Sequence, residues 1–392
     1  MHDSLITVLI VARNAAATIE RAVLSVVSQS GARILLVDDL STDQTSLFAL
    51  QAGGGQCVVE RPPEHLALGA SRSFGLSKVS TKYTILLDAD DAYLPGRIER
   101  AVTELEKSNT QIWADGLRLR DGASGALLKD IPVPEFLRHS QIPYRLFERN
   151  YLPGVGQVAF VTGFAQQVGY DPTLHGPEDI DLVLRMVARG ARISYGDSIG
   201  YEMFTYPTSV SRSLDNQLAM YARGLSKFPL AFIRSFYLEH GSDTHTAIWA
   251  CVSVAMYCAD YAKAISLLDE LNSTLPTLSS SYVHEPNGPN PYPEQWRRCF
   301  VRGTAFLLCG EVQIALEYLR QASELLQRPE SLNNLGVGLR RAGLEAEALA
   351  SFQQALKLNG EFLDAKRNLA TSTSQHITRQ PLRALANRSS YS

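Results

Sequence analysis

The residues best suited to chemistry are three carboxylates, Asp88, Asp90 and Asp91, which directly follow the apolar pair Leu86-Leu87. Side chains alternate along a strand, so Asp88 and Asp90 point to the same side. Clustered carboxylates repel one another unless a cation lies between them. A hard divalent ion such as Mg²⁺ or Mn²⁺ suits these oxygens and also binds phosphate oxygens. The alternative is a surface turn, but the position after a buried strand favours a metal site.

A second acidic pair, Asp38 and Asp39, also follows an apolar run and precedes Ser41-Thr42-Asp43. Helix capping explains Ser41 and Asp43, since both residue types satisfy the free N–H groups of a helix start. Capping does not require two consecutive acids at positions 38 and 39. The pair is therefore a candidate for ligand binding at the carboxyl end of another strand.

A third acidic group, Glu178-Asp179-Ile180-Asp181, follows Gly176-Pro177. Proline suits the first position of a helix, and acids suit its first turn because the helix dipole favours negative charge there. A helix start is thus one interpretation of the motif. The functional alternative is that Asp179 projects into a site as a general base.

The segments that must position these acids alternate between strand and helix patterns. We predict strands at residues 6–11, 34–37, 58–59, 83–87 and 112–119, and helices at 18–28, 41–50, 69–79, 97–107 and 181–188. Strands that alternate with helices indicate a parallel sheet with right-handed crossovers. Residues 121–160 are rich in Pro and Gly, which predicts loops.

From about residue 213 the pattern is helical and contains an internal repeat of 33 residues. The residues Gly303, Ala315, Leu319 and Ala322 recur as Gly336, Ala348, Phe352 and Ala355. Two helices per unit, with small residues where they cross, are typical of a helical solenoid. Residues 329–362 resemble a tetratricopeptide repeat, although Gly360 stands where that family usually has Pro.

Taken together, residues 5–212 resemble a family 2 glycosyltransferase of the GT-A fold. The motifs that carry the resemblance are the opening strand and helix at 6–14, Asp-Asp-x-Ser-Thr-Asp at 38–43, the basic residue Arg72, Asp-x-Asp-Asp at 88–91 and Glu-Asp-x-Asp-Leu at 178–182. The resemblance implies an α/β domain with a Rossmann-like mixed sheet, followed here by an all-α helical repeat domain.

For the donor, the resemblance implies that Asp39, with the backbone near Val11 and Arg13, holds the nucleotide base and ribose. Arg72 would help to position the nucleotide-sugar. Arg13 stands where this family commonly has Tyr, which would alter stacking on the base.

For the reaction, the resemblance implies that Asp90 holds a Mg²⁺ or Mn²⁺ ion bridging the diphosphate, while Asp88 contacts the sugar or ribose. Asp179 would deprotonate the acceptor as it attacks the anomeric carbon, and a single displacement would invert that centre. Tyr206 occupies the position where many members have a His that completes the metal site.

Five further residues are candidates to border the sugar or acceptor: Trp113, Asp115, His175, Glu178 and Tyr206. For Trp113 the alternative is core packing, and for the loop residue His175 it is solvent exposure. The Gln-x-x-Arg-Trp motif of processive polysaccharide synthases is absent, which favours transfer of a single sugar.

The bulk properties set limits on partners and location. The 392 residues carry a formal net charge of -3 without a long block of like charge, which gives no electrostatic reason to expect nucleic acid or an anionic membrane. Five scattered cysteines form no Cys-x-x-Cys pair. The apolar stretch at 247–259 is shorter than the roughly 20 residues of a membrane span, so we expect a buried helix and a cytoplasmic protein.

We predict a GT-A domain at residues 1–212, a helical linker at 213–243, a repeat domain at 244–375 and a disordered tail at 376–392. This layout is similar to that of peptide S-glycosyltransferases of the sublancin type, which implies a peptide or protein acceptor bound by the repeats. A homodimer formed through the repeats is a further expectation. A glycan or small-molecule acceptor remains the alternative.

Two other functions compete with a transferase. A nucleotidyltransferase would need a Gly-rich, basic triphosphate loop near the first strand, and residues 11–15 do not supply one. A scaffold with a degenerate transferase domain is favoured by the missing His. The intact Asp88, Asp90 and Asp179 argue against it.

Overall fold

The chain divides into two compact units in a computed structural model. Unit 1 comprises Met1–Leu146 with Asn150–Lys227, and unit 2 comprises Phe147–Arg149 with Phe228–Ser392. The division after Lys227 falls inside the segment predicted as a linker. The structure describes residues 4–29, 31–135, 137, 146–148, 152, 158–174, 176–206, 214–273 and 292–378.

The first part of unit 1 alternates strands and helices, as its apolar runs predict. The elements are β1 (Ile6–Ala12), α1 (Ile19–Val27), β2 (Ala32–Asp38), α2 (Thr45–Gly53), β3 (Cys57–Glu60), α3 (Leu68–Lys78) and β4 (Tyr83–Asp88). Helix α1 buries the predicted face of Ile19, Ala22, Val23 and Val26. These side chains join the core formed by β1, β2 and β4, and burial of such apolar surface is the main stabilising term of the unit.

The second part of unit 1 is less regular. Its elements are β5 (Ala92–Tyr93), α4 (Arg97–Ser108), β6 (Ile112–Asp121), β7 (Leu127–Ile131), β8 (Ala159–Val161), α5 (Thr162–Val168), α6 (Glu178–Ala188), β9 (Ile193–Thr205) and α7 (Leu214–Leu225). The prediction of loops throughout 121–160 is wrong at β7 and β8. Strand β7 is largely exposed, so it lacks the apolar alternation that marks a half-buried strand.

Nine strands of the described chain form one mixed sheet in the order β3-β2-β1-β4-β8-β6-β9-β5, with β7 paired to β6. Strands β3, β2, β1 and β4 are parallel, whereas β8 runs antiparallel to β4. Strand β1 lies between β2 and β4, with Ala12 opposite Asp38 and Val11 opposite Asp88. The register therefore places two acidic motifs at the same edge of the sheet.

Unit 2 is helical over its described residues. Its helices are α8 (Leu230–Glu239), α9 (Thr244–Tyr257), α10 (Tyr261–Ser273), α11 (Glu294–Cys309), α12 (Val312–Leu325), α13 (Pro329–Arg341), α14 (Glu345–Leu358) and α15 (Leu363–Ala370). Helix α9 contains most of the apolar stretch at 247–259 and is buried along most of its length. None of the helices that the structure describes has the length and apolar character needed to cross a membrane.

The 33-residue repeat corresponds to two helix pairs, α11 with α12 and α13 with α14. A Cβ atom on Gly303 would lie 2.8 Å from Cγ of Leu319, and one on Gly336 would lie 2.6 Å from Cε1 of Phe352. Both distances are too short for a side chain. Glycine is therefore required at both positions, because the helices of each pair approach closely at equivalent points.

The segment after α15 continues along unit 2. Thr378 is 1% exposed and is hydrogen bonded to α13. Residues 376–378, which the sequence predicts to lie in a disordered tail, thus pack on the helices. The remainder of that tail lies outside the described residues.

Candidate active site

A cavity of about 260 Å³ opens beside the carboxyl ends of β1 and β2. It is lined by Val11, Ala12, Arg13, Asp39, His65, Leu66, Leu68 and Ser71. The residues predicted to hold the base and ribose, Val11, Arg13 and Asp39, are therefore brought together at one edge of the sheet. Their position outside strand ends is the usual one for a ligand in an α/β fold.

One wall of this cavity is a chain of three polar side chains. The Nδ1 atom of His65 lies 2.8 Å from Oδ2 of Asp39, and Nε2 of His65 lies 2.7 Å from Nη1 of Arg13. Because arginine has no acceptor, Nε2 must accept from Arg13 and Nδ1–H must donate to Asp39. The backbone N–H of Leu66 donates to the other oxygen of Asp39 over 2.9 Å. These contacts fix the carboxylate at the cavity wall.

His65 is a site residue that the sequence does not reveal. It stands in the loop between β3 and α3, and the motifs of the site do not include it. The Pro62-Pro63 pair before it indicates a turn but carries no chemical signal.

Asp38, the neighbour of Asp39, organises the loop after β2. Its carboxylate accepts hydrogen bonds from the backbone N–H of Ser41 at 2.8 Å, from Arg61 at 2.5 Å and from the hydroxyl of Ser46. Burial raises the pKa of Asp38, but the hydrogen bonds from Ser41, Ser46 and Arg61 outweigh it and hold the pKa below its usual value. Asp38 is therefore an ionised structural residue, while Asp39 faces the cavity.

Arg72, on α3, connects two of the acidic motifs. Its Nη2 donates to Oδ1 of Asp88 at 3.0 Å, and its Nη1 lies 3.1 Å from Oε1 of Glu178. Burial lowers the pKa of Arg72, but the carboxylates of Asp88 and Glu178 raise it well above its ordinary value. The guanidinium stays charged and holds the end of β4 near the start of α6.

Asp179 lies beside this ion pair in the first turn of α6. Burial and the negative charge of Glu178 raise its pKa to about 7, although the charge of Arg72 opposes the shift. Its carboxylate accepts a hydrogen bond from the backbone N–H of Ile180 at 2.6 Å. A carboxyl group that titrates near neutral pH can accept a proton from a substrate and release it again.

The acids after β4 have different environments. The side chain of Asp88 is 40% exposed, and Asp90 is also exposed. Partial loss of solvation and the charge of Asp88 raise the pKa of Asp90. Asp91 is 3% exposed and accepts from the hydroxyl of Tyr201 and from the backbone N–H of Phe204, both at 2.8 Å. Asp91 therefore ties the motif to β9, which leaves Asp88 and Asp90 facing outward.

Tyr206 lies next to this motif and contacts it through Arg21. The guanidinium of Arg21 donates to the backbone carbonyl of Asp90 and, at 3.4 Å, to the hydroxyl of Tyr206. It also lies 3.6 Å above the ring of Phe204. Arg21 therefore links the phenol of Tyr206, the residue expected in place of a metal-binding His, to the acidic loop.

The donor set fits a hard divalent cation that is shared with a diphosphate. Within the described ranges, no group of three or more His, Cys, Asp or Glu side chains is arranged to hold a metal ion. Mg²⁺, however, is commonly bound by one or two carboxylates together with substrate phosphates and water. Asp90 and Asp88 offer outward-facing carboxylate oxygens of this kind.

The remaining candidates have other surroundings. Trp113 is fully buried in the core, and Asp115 forms a buried ion pair with Arg97 at 3.0 Å. Neither side chain presents a surface to a sugar. Glu178 is 1% exposed and paired with Arg72. His175 lies outside the described residues.

The sequence of the chain is similar to one family model and to several named proteins. Residues 7–166 match the family model for glycosyl transferase family 2. The succinoglycan biosynthesis protein ExoO of Rhizobium meliloti is 26% identical over 248 residues, which are 60% of this chain and 69% of that protein. ExoU of the same organism is 30% identical over 224 residues, which are 53% of this chain and 64% of that protein. A solved structure of S. aureus TarS 1-349 superposes with a TM-score of 0.47 and 12% identity over 91% of each chain.

Proposed function

We propose that this protein transfers a single sugar from a nucleotide-sugar to an acceptor, with inversion and with the help of a divalent metal. The chain carries a family 2 glycosyltransferase domain of the GT-A fold and is a glycosyltransferase. The observation that carries the proposal is the arrangement around Arg72. This buried cation pairs with Asp88 on the donor side and with Glu178 beside Asp179. Arg72 therefore links Asp88, which would contact the sugar donor, to the motif that contains the candidate base Asp179.

The cavity beside β1 and β2 supports a nucleoside as the ligand. Asp39 provides a fixed carboxylate acceptor for N–H or O–H groups, and Arg13 provides a cation close by. Val11 and Leu66 give the cavity apolar wall. A mostly apolar cavity with a few convergent polar groups is typical of a small-molecule site.

The diphosphate would lie next to the acids after β4. Asp90, with Asp88, would hold the divalent ion, which would neutralise charge on the leaving nucleoside diphosphate. Arg72 orients Asp88 through the 3.0 Å hydrogen bond. Arg21 fixes the backbone of the loop by donating to the carbonyl of Asp90. Both arginines therefore preorganise the loop before the donor arrives.

Asp179 would act as the general base. With a pKa of about 7, its carboxylate is largely ionised above neutral pH and can accept the proton of an acceptor hydroxyl. The acceptor oxygen would then attack the anomeric carbon as the bond to the diphosphate breaks, and the nucleoside diphosphate would leave from the opposite face. One such displacement inverts the anomeric centre.

Two classes of acceptor fit different observations. A glycan hydroxyl is supported by ExoO and ExoU, both named for succinoglycan biosynthesis. A peptide side chain is supported by the helical unit that follows the transferase domain.

The test is donor binding and turnover with a panel of UDP-, GDP- and dTDP-sugars. We expect one donor to raise the melting temperature in the presence of Mn²⁺, to be hydrolysed slowly, and to yield a glycoside of inverted configuration by NMR once an acceptor is found. A retained configuration would reject the single displacement. Absence of both binding and hydrolysis for every donor would instead favour the degenerate scaffold.

A further inference from the structure

Three asparagines of unit 2 are fully buried within helices. Asn333 and Asn334 lie on α13, Asn368 lies on α15, and each has 0% of its surface exposed. Asparagine is a weak helix former, and a buried amide costs free energy unless its hydrogen bonds are made. Their presence therefore calls for specific hydrogen-bond partners.

Two of these amides pair with the main chain of residues 376–378. Asn334 accepts from the N–H of Thr378 at 2.7 Å and donates to the carbonyl of the same residue at 2.8 Å. Asn368 accepts from the N–H of His376 at 2.7 Å and donates to its carbonyl at 2.9 Å. Each amide thus satisfies both main-chain groups of one residue, as a neighbouring β-strand would. The spacing of two residues is that of an extended chain.

The third asparagine completes the network. Nδ2 of Asn333 donates to the carbonyl of His376 at 2.8 Å and to Oγ1 of Thr378 at 3.1 Å. Its Oδ1 accepts from Nδ2 of Asn368 at 2.9 Å. The side chains therefore hold one another in the orientation that binds the extended segment.

One side chain of the segment is also recognised. The hydroxyl of Thr378 donates to Oδ2 of Asp364 at 2.7 Å, and Thr378 is 1% exposed. A hydrogen bond to a carboxylate is stronger than one between neutral groups. By contrast, Ile377 is half-buried. We call the set of Thr304, Asn333, Asn334, Asp364 and Asn368 the asparagine groove, in which Thr304 Oγ1 accepts from Asn334 at 2.9 Å.

We propose that the asparagine groove is a binding site for an extended peptide of a partner protein that carries a Thr or Ser, and that residues 376–378 of this chain occupy it in cis. The groove binds main-chain groups that every peptide has, and it adds one pocket for a hydroxyl. A second peptide in the same extended conformation could form the same hydrogen bonds with the groove as residues 376–378 do. The inference goes beyond the proposed reaction and does not depend on it.

Because residues 376–378 already occupy the asparagine groove, they compete with any added peptide and lower its apparent affinity. A tethered segment competes at a high effective concentration, and the apparent affinity for a second peptide falls by the fraction of molecules in which the groove is open. The wild-type chain should therefore bind an added peptide weakly, and loss of the tethered contacts should strengthen binding.

The probe is a fluorescein-labelled peptide with the sequence of residues 371–380, followed by anisotropy with the full chain. The double variant His376→Pro/Thr378→Pro removes the two backbone N–H groups that donate to Asn368 and Asn334. It leaves the side chains of the asparagine groove unchanged. We expect it to bind the probe at least about ten-fold more tightly than the wild type, because the groove is open. Adding Asn334→Leu to this variant should abolish the gain.

Variants of the probe peptide distinguish recognition of the threonine hydroxyl from recognition of the peptide main chain. Replacing the threonine at the position of Thr378 by valine, which has nearly the same shape, should weaken binding at least about five-fold through loss of the bond to Asp364. Replacing the isoleucine at the position of Ile377 by alanine is the matched control and should leave affinity nearly unchanged.

If the double proline variant fails to fold, Thr378→Val in the full chain provides a second test of the proposal. It keeps the main-chain hydrogen bonds, removes only the bond to Asp364, and should give an intermediate gain in probe binding. If folded Thr378→Val and every folded proline variant bind the probe no better than the wild type, residues 376–378 are a fixed structural cap and the proposal is wrong. Sugar transfer plays no part in these measurements, so that result would leave the proposed function intact.

Discussion

The guanidinium of Arg72 lies 3.1 Å from the carboxylate of Glu178, and the two side chains are only 8% and 2% exposed. This buried ion pair gives the consecutive acids of the Glu-Asp motif different roles. Glu178 is bound to Arg72, and after burial its negative charge is the largest cause that raises the pKa of the adjacent Asp179. A carboxyl group whose pKa is raised to about 7 by its surroundings is suited to acid–base chemistry.

We predict that Glu178→Gln lowers the pKa of Asp179. The change removes the negative charge that, after burial, is the largest cause raising that pKa, and Arg72 continues to lower it. The acid limb of the pH profile of kcat/KM should therefore move to lower pH. The variant should also lose stability, since Arg72 loses its ion pair with the buried Glu178.

The matched control is Glu99→Gln, which removes an exposed carboxylate on α4. Its pH profile and melting temperature should equal those of the wild type. An unchanged acid limb in a folded Glu178→Gln enzyme would show that the motif does not tune Asp179.

We predict that Asp179→Asn lowers the rate of transfer to a hydroxyl acceptor by about 10²–10⁴, the usual contribution of a positioned base. The donor KM should change little, because the base acts on the acceptor. Wild-type activity should rise as pH increases through about 7, where Asp179 loses its proton. The residual activity of the variant should lack this rise.

Stability provides a second readout of the same residue. The folded-state pKa of about 7 exceeds the ordinary value of 3.8, so folding favours the protonated form. The wild type should therefore lose stability relative to Asp179→Asn as pH rises from 3.8 to about 7. The amide oxygen of the substituted side chain can still accept from the N–H of Ile180. A normal rate with a hydroxyl acceptor would leave Asp179 with a structural role alone in the first turn of α6.

The acidic motifs could be located from the sequence because each follows a continuous apolar run. Such runs form buried parallel strands, and the carboxyl ends of parallel strands lie at one edge of the sheet. The order of the strands is a finding of the structure: Ala12 pairs with Asp38 and Val11 with Asp88, so β2 and β4 lie on either side of β1. The repeat was visible because glycine recurs where helices cross closely.

Other features depend on contacts between residues far apart in the chain. His65 reaches Asp39 across 26 positions, and Arg21 reaches Tyr206 across 185. Contacts between residues so far apart cannot be predicted from the local pattern of apolar and polar residues. The sequence does not predict strand β9 for a different reason. The strand contains two glycines and many half-buried positions, so it lacks the alternation of a regular half-buried strand.

We predict that Asp90→Asn abolishes the metal dependence of donor binding while the fold remains intact. Asp90 is exposed, so the substitution breaks no packing, but an amide is a weaker ligand for a hard cation than a carboxylate. Titration of the donor with and without Mn²⁺, followed by calorimetry, should show a Mn²⁺ effect only in the wild type. Removal of the metal with EDTA should bring the two proteins to the same donor affinity.

Asp197→Asn is the control, because it neutralises another exposed carboxylate of unit 1. It should retain the full Mn²⁺ effect. If Asp90→Asn also retains it, the metal is bound elsewhere or is not required.

The last prediction concerns His65, which holds the carboxylate of Asp39 and the guanidinium of Arg13 in one chain of hydrogen bonds. His65→Ala should raise the donor KM by about ten-fold, equivalent to about 1.4 kcal/mol, with little change in kcat. The effect should be moderate because the His65 side chain is 52% exposed, so water can replace part of its role. His65→Gln should recover part of the affinity, since its amide can donate at one end and accept at the other. Glu64→Ala, at an exposed neighbouring position, should behave as the wild type.

A double-variant cycle decides whether His65 acts through Asp39. If it does, Asp39→Ala and the double variant Asp39→Ala/His65→Ala should have nearly the same donor KM, because the second change removes an orienting contact to a group already absent. Independent effects that multiply would mean that His65 contacts the donor by itself. An unchanged KM in His65→Ala would mean that Leu66 N–H alone, at 2.9 Å from Asp39, is enough to orient the carboxylate.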